Sequence, residues 1–553
     1  MYMNAKDKRN SFKKSDRSNA KASKGNQAKK EPYTSKDGKK TDKFREADNR
    51  GNTSASNSPD WYGGSSPLMQ NAAQLSFSTG AGRPVTIRSD RAPKQVAQLN
   101  HDGIMVLHTL NNPGYANDWN SPVNIAARKL YTFVRHVNSG HSNYDAVDLM
   151  MYIQLMDNAY SYYAWMVRVY GSMRTILLKN RFLPDVLVQS MGVSYSDIAS
   201  RMADFRFYIN LFATKLNQMA VPSTMPLFNR HMWMYSNVYA DAPSERAQMY
   251  VFNPLAFWRY VVTDTDRYLE PTIRLPQITV EDYPSWTMDA IVSSGDVILN
   301  QILQREDFNI MSGDILKAYG DKLHRVNPIA EDYSVVPVYD PEVLLQIHNA
   351  SVLDYNLNTA DGFANTWRVK EVLYDNADAG ALYFNPHLKI NAGTLSLTSD
   401  RIIDFPIEHP TSEHIAIATR LVAIVDGCTE YTDEGSSLKT MHFHALGTEI
   451  VLNTTLVGVD NTGVLAAHMI RFYEQFSVRD GQRYSYSGMP EHQAYHFEMR
   501  PLLWMLYYPY GESIDNTAYV AHVYGDLNNY AVLDHETLQN INEAAALAMY
   551  GVA

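Results

Sequence analysis

Fifteen basic side chains crowd into the first 45 residues: Lys6, Lys8 and Arg9, then Lys13, Lys14 and Arg17, then Lys21, Lys24, Lys29 and Lys30, and lastly Lys36, Lys39, Lys40, Lys43 and Arg45. Clusters of this kind bind polyphosphate by displacing its condensed counterions, which needs neither a folded pocket nor a defined sequence. Nucleic acid is the expected partner. A solubilising tail, an import signal and an anionic lipid surface are the alternatives. Only Phe12, Tyr33 and Phe44 interleave these charges, so base stacking and sequence readout are not expected, and binding should be strongly salt-dependent.

Elsewhere the patterns that carry catalysis are incomplete. His442 and His444 would project to one side of a strand, a spacing that metals use, with His409 and His414 upstream, but no further carboxylate ligand is identifiable. His492 and His496 stand four apart, yet Gln493 occupies the place of the general-base Glu of the zinc-protease motif. Gly192-Val-Ser-Tyr-Ser196 lacks the closing glycine of an esterase elbow. Gly38-Lys39 has no glycine five residues upstream, and Gly80-Ala-Gly82 runs into Arg83-Pro84 where a dinucleotide fingerprint needs a helix start. The acid pairs Asp264 and Asp266, and Glu281 and Asp282, fall where loops are expected. Gly295, Gly313 and Gly525 each precede a single Asp, so a polymerase signature is missing too. No enzyme, no cofactor and no metal are expected. The one cysteine, Cys428, reads as a buried apolar residue of a protein kept in a reducing compartment.

Charge divides the chain. Residues 1–50 hold 16 basic and 7 acidic side chains, net +9, which leaves 33 basic and 52 acidic, net −19, for residues 51–553. From Met1 to Pro67 there is no Leu, Ile or Val, so this stretch cannot bury enough apolar surface to offset its chain entropy. Residues 1–50 therefore read as a disordered arm with a root-mean-square span of roughly 40 Å. Residues 51–67 read as a Gly/Ser linker, and residues 68–553 as the globular body, its fold starting near Leu68. No apolar run of about 18 residues is present to span a membrane, and the polar residues Met1 to Asn10 do not resemble a secretory signal, so a cytosolic product is expected.

Helical signals dominate the body. Ser121-Pro122 reads as an N-cap with proline at the first helical position, followed by Val123, Ala126, Ala127, Leu130, Tyr131, Val134 and Val137, with Gly140 closing the helix. Tyr144 to Tyr170 is apolar around most of its circumference and predicts a helix buried on several sides. Ile198, Met202, Phe205, Ile209, Phe212 and Leu216 give one apolar seam from about Ser196. Further helices are expected from Asp340-Pro341 to about His348, from Val464 to Phe476, and from Asp534 to near Gly551, the last as a candidate for packing on a neighbouring copy. His231 to Tyr239, Met249 to Phe252 and Met441 to Val459 read as strands. The fold class is mainly α (α+β), with small β-sheets and without internal repeats.

This combination of basic arm, Gly/Ser linker and Tyr/Met-rich helical body resembles the capsid proteins of picobirnaviruses, and more distantly those of partitiviruses. The segment Met225-Pro-Leu-Phe-Asn-Arg-His-Met-Trp-Met-Tyr-Ser-Asn-Val-Tyr239, followed by Ala247-Gln-Met-Tyr-Val-Phe-Asn-Pro254, is similar to the family's central region. The resemblance implies a shell region and a protruding region, and a homodimer that assembles into an icosahedral shell around a double-stranded RNA genome. It also implies that Lys6 through Arg45 face the RNA inside a virion put together in the host cytoplasm. Since the arm reads no sequence, choice of RNA would fall to another component, the viral polymerase being the candidate. A non-assembling RNA-binding scaffold, and a hydrolase acting through His442 and His444, are the competing readings.

Overall fold

A computed structural model describes residues 66–75, 81–89, 92–99, 102–138, 140, 144–175, 183–244, 246–264, 266–276, 285–353, 366–373, 379–391, 400–433, 436–460, 465–470, 473–479, 482–485, 494–508, 520–524 and 527–552. The chain divides into two units, Met1–Phe77 and Ser78–Ala553. In the first, the short helix Ser66–Ala72 exposes Leu68, and among the described residues the apolar core is drawn from the second unit.

Two helices anchor the second unit. The first, α1 (Pro122–Val137), starts at proline as its spacing predicts and buries Val123, Ala126, Ala127, Leu130 and Val134. Ser121 does not cap it with its hydroxyl. Its Oγ instead accepts from the backbone N–H groups of Asn117 and Asp118, tightening the preceding turn, and the helix closes at Asn138 rather than at Gly140. The second, α2 (Ala146–Met173), has 28 residues, a length of about 42 Å at 1.5 Å per residue. Asp145 caps it through a bond from the Asp148 N–H, and side chains from Val147 to Ser172 are buried without a break. A helix apolar on every side has to be enclosed by other elements. Here these are α3 (Met202–Leu216), α4 (Pro226–Ser236), α5 (Met288–Leu303) and α6 (Glu306–Tyr319), with ring contacts such as Tyr160 to Phe228 at 5.4 Å and Tyr152 to Phe308 at 5.8 Å.

The central sheet contains β1 (Ile104–Asn111), β2 (Tyr239–Ala240), β3 (Met249–Pro254), β4 (Glu449–Val459) and β5 (Leu465–Ile470), in the order β5-β4-β1-β3-β2. Strands β1 and β3 pair in parallel, and the crossover between them carries α1 to α4. The other pairs are antiparallel. Burial along β1, β3 and β4 is almost continuous, as expected for strands covered on both faces. A second, antiparallel sheet orders Ala256–Val262, Arg267–Arg274, Val369–Val372 and Ala381–Tyr383. The architecture is the expected mixture of helices and small sheets.

Three local expectations are corrected. His231 to Ser236 is not strand but the end of α4, where Pro226 opens a helix that buries Leu227, Phe228, His231, Met234 and Tyr235 at helical spacing. Val464 to Phe476 is not helical: Leu465–Ile470 pairs with β4, and Tyr473–Arg479 is a strand of another sheet. Its buried Ala467 and Ile470 lie three apart and imitate a helical period, and the pairing with β4 overrides it. The seam from Ser196 is broken at Arg201 into Tyr195–Ser200 and α3, while keeping Ile198, Phe205, Ile209, Phe212 and Leu216 buried. Within the chain, α7 (His535–Met549) buries Leu538, Ala546 and Met549, with Leu538 set among Leu345, Ile403 and Phe405. It ends at Gly551, whose φ of 68° lets its N–H reach Ala548 O and the Val552 N–H reach Leu547 O.

Candidate functional site

The fifteen basic residues Lys6 to Arg45 lie outside the described residues. Of the other candidates, His442 and His444 sit on the strand Ser436–Ala445, both exposed on either side of buried Phe443, as the alternation predicts. The His387 ring lies 5.7 Å from that of His442, and the His535 ring 5.6 Å from that of His444. The structure does not bring His409 or His414 to this pair: His409 is at the surface beside Glu408, and His414 Nδ1 accepts from the Thr411 N–H in a capping box. His492, Gly80, Glu281, Asp282 and Gly525 lie outside the described residues, as does the side chain of Cys428. Among the described residues no group of three His, Cys, Asp or Glu side chains could hold a metal, and no helix is long and apolar enough to cross a membrane.

The strongest electrostatics in the body were not anticipated. His231 of α4 bonds through Nδ1 to Asp157 Oδ2 of α2 at 2.7 Å and through Nε2 to Glu449 Oε1 of β4 at 3.2 Å. Arg420 Nη2 donates to Glu449 Oε2 at 3.0 Å and to Thr448 Oγ1 at 2.8 Å, and Arg230 Nε approaches Glu449 Oε1 at 3.6 Å. The side chains of Asp157, His231 and Glu449 are all but inaccessible to solvent. Burial opposes a charge on His231, but the two carboxylates outweigh it and raise its pKa to about 9. Glu449 is held well below the carboxylate range: burial opposes the shift, and Arg420, His231 and Arg230 overcome it. Both imidazole nitrogens are committed to carboxylates, so neither is available to activate a nucleophile. The arrangement fastens α2, α4 and β4 to one another.

One sequence signal could have exposed this network. A charged residue in a helix apolar all round has to find a partner or incur a large desolvation cost. Asp157 and Arg168 are two such residues of α2. Among the described residues Arg168 bonds to Met191 Sδ at 3.2 Å and Asn237 O at 3.4 Å, its Nη2 has no partner, and burial lowers its pKa to about 9.

Residues 61–477 match the family model described as Picobirnavirus, Capsid protein. The chain belongs to the picobirnavirus capsid protein family. The capsid protein precursor of Human picobirnavirus (strain Human/Thailand/Hy005102/-) is 26% identical over 512 residues, covering 89% of this chain and 90% of that protein. The X-ray crystallographic structure of the picobirnavirus capsid is similar with a TM-score of 0.74 and 22% identity, over 89% of this chain and 98% of that one. At that identity the likeness establishes the fold. The matched relatives are named as capsid proteins, so this capsid-family chain is a structural component of a virion.

Proposed function

We propose that copies of this chain pair as two-fold dimers and close into an icosahedral shell around double-stranded RNA. Residues 1–50 form the inner arm, and Lys6, Lys8, Arg9, Lys13, Lys14, Arg17, Lys21, Lys24, Lys29, Lys30, Lys36, Lys39, Lys40, Lys43 and Arg45 neutralise phosphate without sequence preference. The observation that carries this reading is the charge split in a chain of the capsid family: net +9 in residues 1–50 against net −19 in the remainder. An acidic wall repels the cargo, so retention of RNA falls to the arm. Assembly takes place in the host cytoplasm, and selection of one RNA belongs to a co-assembling component such as the polymerase.

Salt dependence tests the arm. The full chain and a variant with Lys29, Lys30, Lys39 and Lys40 changed to Ser are titrated with a double-stranded RNA fragment between about 50 and 200 mM salt. The slope of log K against log salt should fall by roughly 0.9 for each phosphate that the variant no longer neutralises. An unchanged slope, or one equally steep in a chain without residues 1–45, would assign RNA binding to the body instead.

A further inference from the structure

The second sheet carries a polar cleft that the packaging reading does not use. The register pairs Tyr268 with Lys370 and Lys370 with Tyr383, so these three side chains form one row across three strands. The neighbouring residues Leu269, Val369 and Leu382 point the other way and are fully buried, which anchors the row to the core. Arg368 lies over the Tyr268 ring at 4.2 Å, and the Lys370 ammonium lies 5.2 Å from the centre of the Tyr383 ring. The cleft in front of them has a volume of about 750 Å³, and its walls include the carboxylates of Asp266 and Glu371 together with Asn385 and His387.

The distribution of charge narrows the ligand. Arg267 is paired with Asp148 at 2.7 Å and Arg368 with Glu270 at 3.3 Å. Among the described residues no carboxylate lies within ion-pair distance of Lys370, so the cleft offers one uncommitted cation. One cation suits a single anionic group and not a run of phosphates, which takes several. The two tyrosine rings offer flat apolar contact with polar edges. Asn385, also in the wall, donates from Nδ2 to Tyr115 Oη at 3.3 Å.

We propose that this cleft binds an anionic saccharide: a pyranose stacked along Tyr268 and Tyr383, its one carboxylate or sulfate on Lys370 and its hydroxyls on the polar wall. In a capsid protein such a site serves attachment to glycans of a host cell surface, which places this sheet on the outside of the shell. The site requires neither the arm nor RNA, so its failure would leave the packaging reading intact.

Saturation-transfer NMR on the full chain tests it with three probes: 3′-sialyllactose, 3′-sulfolactose and neutral lactose. Saturation should reach the ring protons of at least one anionic sugar, with no comparable transfer to lactose, and the choice between the first two identifies carboxylate or sulfate as the group recognised. Lys370→Glu should weaken binding at least tenfold. Lys370→Gln, at an exposed position where folding tolerates the change, should show the same direction with unaltered thermal unfolding, and Tyr383→Ser should weaken the stacking contribution. These variants keep the arm, so a difference from the parent reports the cleft. No transfer from either anionic sugar, equal transfer from lactose, or transfer unchanged in the Lys370 variants would overturn the proposal.

Discussion

Alkaline pH should loosen the body through one side chain. His231 has an unperturbed pKa of 6.5 and a folded-state pKa of about 9, because Asp157 and Glu449 together outweigh the burial that disfavours its charge. A base with a raised folded pKa contributes stability in full below its unfolded value. That contribution is lost as the pH climbs from about 6.5 through 9. A gap of roughly 2.5 pKa units at about 1.36 kcal/mol each amounts to about 3 kcal/mol. With an unfolding entropy of about 2.1 cal/mol/K per residue over residues 78–553, this corresponds to a midpoint change on the order of 3 °C. The charged groups facing His231 are Asp157, Glu449, Arg230 and Arg420, and the phenols of Tyr235 and Tyr550 nearby are raised by burial, above the window being tested. Thermal unfolding of the parent and of His231→Gln at pH 6.5, 8 and 10 is the assay. At pH 6.5 the parent should melt higher by at least the calculated amount, and the difference should close as the pH reaches 10. A difference that stays constant across this range would show that His231 is not held as a cation, and the reasoning would fail.

Other consequences follow from the same packing. Glu449→Ala leaves buried Arg420 without its carboxylate and His231 with Asp157 as its one remaining carboxylate, and should lower stability by about 3–5 kcal/mol in chemical denaturation. Arg168→Met removes a buried cation with no carboxylate partner among the described residues and should leave stability unchanged or raised, so a loss above about 1 kcal/mol would contradict its desolvation cost. Gly551→Ala forces a left-handed φ of 68° on a residue whose Cβ would stand 2.4 Å from Thr224 O. It should cost about 1–3 kcal/mol and expose the end of α7 to limited proteolysis, and a resistant C-terminus would show that Thr224 gives way.

The parts that were legible in the sequence are those with long, one-sided signals. Helix α2 announced itself through 28 residues of apolar, Met- and Tyr-rich pattern, α1 through proline at its first position, and the end of α7 through Gly551. Short segments were ambiguous. The run Pro226–Ser236 is rich in aromatic and Met residues that suit a strand as well as a helix, and only packing on α2 decides. Leu465–Ile470 owes its conformation to pairing with β4, a partner that its own six residues do not encode. The buried network could not be assembled from local pattern, since His231 stands 74 residues from Asp157 and 218 from Glu449. The tyrosine row has the same origin, because register across three strands unites Tyr268, Lys370 and Tyr383.

The central claim, a self-closing shell whose basic arm holds RNA, is tested most directly by electron microscopy combined with the 260/280 nm absorbance ratio. The samples are the purified full chain and a chain lacking residues 1–45. Uniform closed particles from both, with nucleic acid only in the full-length sample, is the predicted result. A full-length chain that remains a small soluble oligomer at low and high salt, or truncated particles that hold as much RNA as the parent, would contradict it.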